Sequence, residues 1–214
     1  MSLLDGLALG NKALLLLNLL YLIYLLKHLR RSMILLMVLL GGMLFIDLAS
    51  SYLSDRNIQN IHLTHYYTIG QFFILSVIYY KQLKKFQLVV LIGVALFSSI
   101  LIYQLVTSKI VYNELNISGF IASACILMTY AFFYFIEHIS EKRYWDTFNV
   151  GLFLYLGGSS IIFLTMNSWQ DLEDWNVMIW TVNASLAVLF QIFIAATIYR
   201  FHRVQRNQNG ISSL

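Results

Sequence analysis

The chain has 214 residues, of which 59% are apolar and only 11% charged, with a net charge of +4 and a mean hydropathy of +0.72. An ordinary soluble domain carries about 25% charged residues, and a globule with less than half that supply cannot cover its own surface with polar groups. Missing polar tracts, glycine periodicity and cysteine pairs exclude disordered, collagen-like and disulfide-stapled chains, which leaves an all-α integral membrane protein.

A helix needs about 20 predominantly apolar residues to cross the hydrocarbon core. Seven stretches meet that length, roughly 7–26, 33–53, 58–80, 86–108, 115–136, 147–167 and 175–198, and runs this long are helical rather than strand-forming. The first carries Lys12 near its start, the second carries Asp47, and the other five each contain a charge-free run longer than 20 residues. There is no proline. Mostly straight helices are therefore expected, with Gly41-Gly42, Gly93 and Gly157-Gly158 as the flexible points. The N-terminus does not read as a cleaved signal peptide, because Asp5 stands where a basic region belongs and Lys27, Arg30 and Arg31 follow the apolar run. Cys125 is the only cysteine, and no connection exceeds about a dozen residues, so the bundle is expected to be the whole working unit, followed by a basic tail over 200–214. No internal repeat is evident, which argues against inverted-repeat transporter folds.

Lys and Arg set the orientation. The connections after spans one, three and five, with the tail, hold Lys27, Arg30, Arg31, Lys81, Lys84, Lys85, Lys142, Arg143, Arg200, Arg203 and Arg206, whereas the other side holds Lys12, Arg56 and Lys109. This 11 to 3 split predicts an external N-terminus and a cytoplasmic C-terminus. Asp171, Glu173 and Asp174 lean the other way, to the outer side. Aromatic belts agree, with Tyr79, Tyr80, Tyr144, Trp145 and Tyr199 at the inner interface and Tyr52, Tyr112, Trp169 and Trp175 at the outer one. The positive charge is thus a topology signal, matched to anionic inner-leaflet lipids rather than to nucleic acid, and it points to a multi-pass protein of the plasma (inner) membrane.

Polar groups within the spans are the informative positions, since each needs a partner in hydrocarbon. At about 1.5 Å per residue, Asp47 and His65 each lie roughly 12 Å from the outer turn between spans two and three, and Ser159 and Asn183 share that layer. By helical phase, Asn57, Asn60, Thr64, Thr68 and Gln71 fall on one stripe of span three with His65 on its flank. On span seven, Asn176, Trp180, Asn183, Ala187 and Gln191 form another, and Tyr155, Gly158 and Ser159 align on span six. The plain alternative is interhelical hydrogen bonding, worth on the order of 0.6 kcal/mol per bond. Asp47 stands apart, because an acid within a span is costly and is paired or functional. An Asp47–His65 pair sharing a proton across the hairpin is expected.

Several chemistries are disfavoured. A retinal protein needs a lysine in the last span, and 175–198 has none. A membrane haem wants histidines facing one another from two helices, whereas His62 and His65 share one, and His28, His138 and His202 lie at the inner side. Seven-span zinc hydrolases such as alkaline ceramidases and adiponectin receptors use a late histidine pair that is missing here. Asp47, His62 and His65 would supply three zinc ligands at most. Glu137-His138 with Glu141 reads as the solvated end of span five. No cofactor is expected.

Asp47, Asn57, His65-Tyr66-Tyr67 and Gln71-Phe72, with Leu154-Tyr155-Leu156-Gly157-Gly158-Ser159-Ser160, Phe163, Trp180 and Asn183, resemble small uncharacterised seven-span proteins of Bacteroidota. The resemblance runs from about residue 40 to 195. It implies an acid in span two, a His-x-Tyr in span three and a Tyr-x-Gly/Ser cluster in span six. Gln71 stands where that pattern has a second acid, which leaves Asp47 as the sole deep acid. The resemblance implies a link to signalling.

The favoured expectation is a sensor or signalling module. Its outer-side pocket, formed by Asp47, Thr64, His65, Gln71, Tyr155, Ser159, Trp180 and Asn183, binds a small ligand or senses protons. The signal passes to a cytoplasmic partner at the basic loops and tail, and an oligomer is compatible with the pattern. A small transporter or channel is the second reading, with Gln71 and Gln191 continuing the polar path inward. A lipid- or metal-dependent enzyme is the third.

Overall fold

The computed structural model describes residues 2–107, 115–140, 143–166 and 173–211, with backbone alone at 166, 173–176 and 208–211. Lys109, Tyr112, Glu141, Lys142, Trp169 and Asp171, and the side chains of Glu173, Asp174, Trp175 and Asn176, lie outside the described residues. The described residues form seven α-helices: α1 (Leu3–Tyr24), α2 (Arg31–Ser54), α3 (His62–Gln82), α4 (Gln87–Val106), α5 (Ile117–Glu137), α6 (Trp145–Met166) and α7 (Glu173–Ile211). The described residues contain no strand. Six of the seven are long and apolar enough to cross a membrane, as expected for a helical membrane bundle. The exception is α3, whose first three turns carry His62, Thr64, His65, Tyr66, Tyr67, Thr68 and Gln71.

Local chemistry sets the helix ends. Ser2 caps α1 in a reciprocal box with Asp5, and Asn116 caps α5 by accepting from the Gly119 amide at 2.9 Å, each satisfying an otherwise orphaned N–H. The α2–α3 turn needs one left-handed residue, and Asn57 supplies it at φ 56°, asparagine being among the few side chains that tolerate this region. The turn lies where the sequence places it, but α3 begins at His62 rather than 58. The Asn60 amide instead reaches back to Ser50, donating to its carbonyl at 2.9 Å and its hydroxyl at 2.8 Å.

Successive helices alternate in direction. Lys12 near the start of α1 meets Ser51 near the end of α2, Tyr79 of α3 meets Asn149 of α6 at 2.5 Å, and Ser159 of α6 meets Asn183 of α7 at 2.8 Å. Helices α1 and α7 run parallel, joined by Asn18–Gln191 and by Tyr21–His202 at 2.7 Å. Helices α1, α2, α3, α5, α6 and α7 close a ring, with α4 against α3 and α5. The glycines expected to flex lie within unbroken helices, and two mark close approaches. A Cβ on Gly93 would meet Ile126 Cγ2 at 2.6 Å, and one on Gly158 would meet Leu186 Cδ1 at 2.6 Å.

Burial is uneven along the bundle axis. The fully enclosed side chains gather towards the end that holds the α1–α2, α3–α4 and α5–α6 turns: Leu22, Met33, Leu36, Leu75, Tyr79, Tyr130, Tyr134, Trp145, Phe148, Ile194 and Ile198. Hereafter this is the basic end, since Lys27, Arg30, Arg31, Lys84, Lys85 and Arg143 sit there. The opposite half holds few enclosed apolar side chains. Helix α7, with 39 residues, is about 58 Å long against a hydrocarbon core of about 30 Å. Beyond the core length it docks on α1 and the connection after it: His202 meets Tyr21, and the Gln205 amide donates to the His28 carbonyl.

Candidate functional site

The loosely packed half holds two partly open cavities. The first, of about 180 Å³, lies between α3, α4, α5, α6 and α7. Thr64, His65, Tyr155, Trp180 and Asn183, five of the eight side chains expected to form the site, line it. Its wall is largely aromatic, adding Tyr67, Phe97, Phe120 and Phe163. The rings brace one another: Phe120 meets Phe163 at 4.9 Å between centroids, and Phe163 meets Trp180 at 6.1 Å, both edge to face. Tyr155 stacks on Phe190 at 5.2 Å and 4°. These offset and T-shaped geometries suit the ring quadrupoles, so the wall is braced independently of any occupant.

The polar groups of this cavity divide into committed and free. Asn116 pairs with Gln104, donating to its Oε1 at 2.8 Å, and Thr64 and Thr68 donate to carbonyls one turn back. Asn183 accepts from the buried Ser159 hydroxyl at 2.8 Å, and among the described residues nothing accepts from its amide N–H groups. His65 Nε2 is buried without a partner. That atom is closed off from the cavity space as well, so the polar group the wall offers a guest is the Asn183 amide. Ser159, expected at the pocket, positions Asn183 from behind.

The second cavity, of about 220 Å³, lies between α1, α2, α3, α6 and α7 and is lined in part by Asn11, Asp47, Ser50, Tyr67, Tyr155 and Gln191. Here the structure corrects the expected Asp47–His65 pair. Asp47 pairs with Lys12 at 3.8 Å, and His65 lines the other cavity. The cause is where α3 starts. His65 falls in its first turn, whereas Asp47 is two turns back from the end of α2, so equal counts from the turn no longer mean equal depth. Lys12, nine residues after Leu3, enters by about 13 Å on α1 and matches Asp47 at about 10 Å on α2. The Lys12 ammonium also donates to Ser51 Oγ at 2.6 Å, and Ser51 in turn donates to the Asp47 carbonyl at 2.9 Å.

Gln71 lines neither cavity; it is buried with Nε2 unpartnered. Gln191 is held by the buried Asn18, whose amide donates to its carbonyl at 3.0 Å and its Oε1 at 3.1 Å. The inward polar path is therefore clamped at Gln191. Asp47, His62 and His65, the weak zinc candidates, do not converge, and among the described residues no three His, Cys, Asp or Glu side chains stand together as a metal cluster. Glu137 is engaged structurally, accepting from the Lys84 and Lys85 amides at 3.0 and 3.2 Å.

Two contributors escaped sequence reasoning. Asn18 lies in a leucine run with no polar stripe to mark it. Tyr67 lines both cavities, as does Tyr155, so the two phenols stand between them. The His-Tyr-Tyr string was the available signal, but only helical register separates Tyr67 from the exposed Tyr66. No family model, curated protein or solved structure matches the chain, so its site is argued from its own geometry.

Proposed function

We propose that the protein is a membrane-embedded sensor whose aromatic cavity binds a small molecule of about one ring, and that occupancy is relayed along α7 to a partner at the basic end. The observation that carries this reading is the cavity itself, with Tyr67, Tyr155, Phe163 and Trp180 in its wall beside the unfilled Asn183 amide. An apolar cavity of about 150 Å³ accommodates benzene, so about 180 Å³ suits a phenol or benzyl alcohol whose hydroxyl meets the free Asn183 amide. Sensing is favoured over transport because the basic half is filled by enclosed side chains and the Asn18–Gln191 clamp, which would have to separate for passage. Helix α7 supplies the relay: Trp180 and Asn183 line the cavity, and Arg200, Arg203 and Arg206 lie on the same unbroken helix.

Under the positive-inside rule the basic end faces the cytoplasm, which puts the cavity in the outer half of a plasma membrane and the partner's docking surface on the basic loops and tail. The test is thermal unfolding of the purified protein in nanodiscs with benzyl alcohol. A single saturable site stabilises the fold by about 1.4 kcal/mol at ten times Kd. The reading requires this shift in the wild type and its loss in His65→Leu/Asn183→Leu. A shift that never saturates, or persists in that variant, would show partitioning into lipid instead.

A further inference from the structure

The phenol pair is a thin wall between two unlike chambers: one aromatic and uncharged, the other holding the sole deep acid. Among the described residues no hydrogen bond reaches either carboxylate oxygen of Asp47. Its one partner, Lys12, is at 3.8 Å, which is ion-pair distance but too long for a hydrogen bond. An ionised carboxylate has about four acceptor positions to fill. In the same chamber Asn11 Oδ1 is buried with no donor. The chamber is thus short of donors rather than acceptors, whereas the aromatic chamber offers an unfilled amide donor at Asn183.

Resting on the sensor reading, we infer that the two chambers are halves of one site for a small aromatic amine: its ring occupies the aromatic chamber, and its ammonium passes between Tyr67 and Tyr155 to Asp47. An ammonium brings three N–H donors, which match the two Asp47 carboxylate oxygens and a phenol oxygen, and the Tyr155 ring adds a cation–π surface. Lys12 is the internal ammonium such a ligand displaces. It is anchored more closely by Ser51, at 2.6 Å, than by Asp47, and its side chain is 29% exposed. A lysine stem can therefore carry the charge outward to the interface as the ligand enters.

Benzylamine and benzyl alcohol share a ring and differ in the group that would reach Asp47. Their affinities are measured by quenching of tryptophan fluorescence in nanodiscs of zwitterionic lipid, with Trp180→Phe as the control that removes the cavity reporter. The inference requires benzylamine to bind at least tenfold more tightly than benzyl alcohol. It requires Asp47→Asn to erase that preference while leaving benzyl alcohol unchanged, and Lys12→Met, which removes the competing ammonium, to tighten benzylamine severalfold. Equal binding of both probes, with neither variant altering the ratio, would overturn the amine site and leave the aromatic cavity standing. Binding of neither probe would overturn both. Should Asp47→Asn fail to fold, Lys12→Met decides: unchanged or weaker benzylamine binding in that variant refutes the displacement.

Discussion

Helices α6 and α7 pack closely at two glycines, and the Ser159–Asn183 bond that presents the Asn183 amide depends on that approach. Three neighbouring glycines of α6 face different atoms and give a graded test. A Cβ at Gly151 would run into Phe193, with its Cγ at 2.6 Å and its Cβ closer still. The Cβ of Phe193 is fixed to the α7 backbone, so no rotamer change relieves the overlap and the two helices must separate. Overpacking of this kind costs about 1–3 kcal/mol, against a gain of about 1 kcal/mol from replacing a helical glycine by alanine. Gly151→Ala should therefore be destabilising by up to about 2 kcal/mol. At Gly158 the obstacle is Leu186 Cδ1 at 2.6 Å, the end of a side chain that can turn away, so Gly158→Ala should lie near neutral. At Gly157 the nearest atom is Met128 Sδ at 3.6 Å, an ordinary contact, so Gly157→Ala should stabilise by up to about 1 kcal/mol. Reversible unfolding in mixed micelles, followed by near-UV circular dichroism, measures all three. Equal effects at the three positions, or greater damage at Gly157 than at Gly151, would refute the α6–α7 packing on which the site is built.

Other expectations follow from single contacts. Asn18→Leu strands the Gln191 Oε1 and should cost about 1 kcal/mol, whereas Asn18→Leu/Gln191→Leu should recover most of it; the same unfolding assay separates the two. Glu137→Gln weakens the acceptor for the Lys84 and Lys85 amides, so hydrogen exchange should quicken at those two amides and not along α5. A reporter fused after residue 214 should be active in the cytoplasm. Replacing Arg200, Arg203 and Arg206 by Gln should keep insertion and abolish coupling to the partner, and loss of insertion would assign these arginines to anchoring alone.

The helices were legible because long apolar runs bounded by charge leave few alternatives. Helical phase also found the cavity-facing residues of α6 and α7, since Tyr155, Trp180 and Asn183 sit on continuous helices with fixed register. The Asp47–His65 pair failed for a local reason. Counting residues assumed helix on both sides of Asn57, but Ser50 draws the Asn60 side chain back and α3 starts four residues late. Lys12 was visible as an odd charge in span one, yet periodicity within one helix says nothing about which helix it will face. Asn18 and Tyr67 were hidden for the same reason: their importance comes from α7 and α6, which are distant in sequence.

The central claim is that the aromatic cavity beside His65 and Trp180 takes a one-ring guest, and the most direct test is a crystal soaked with 4-bromophenol. The account predicts one dominant bromine peak in the anomalous map inside the cavity, with the phenol oxygen within hydrogen-bonding distance of the Asn183 amide, and loss of that peak in His65→Leu/Asn183→Leu. Bromine found only on the lipid-facing surface, with the cavity unchanged, would contradict it.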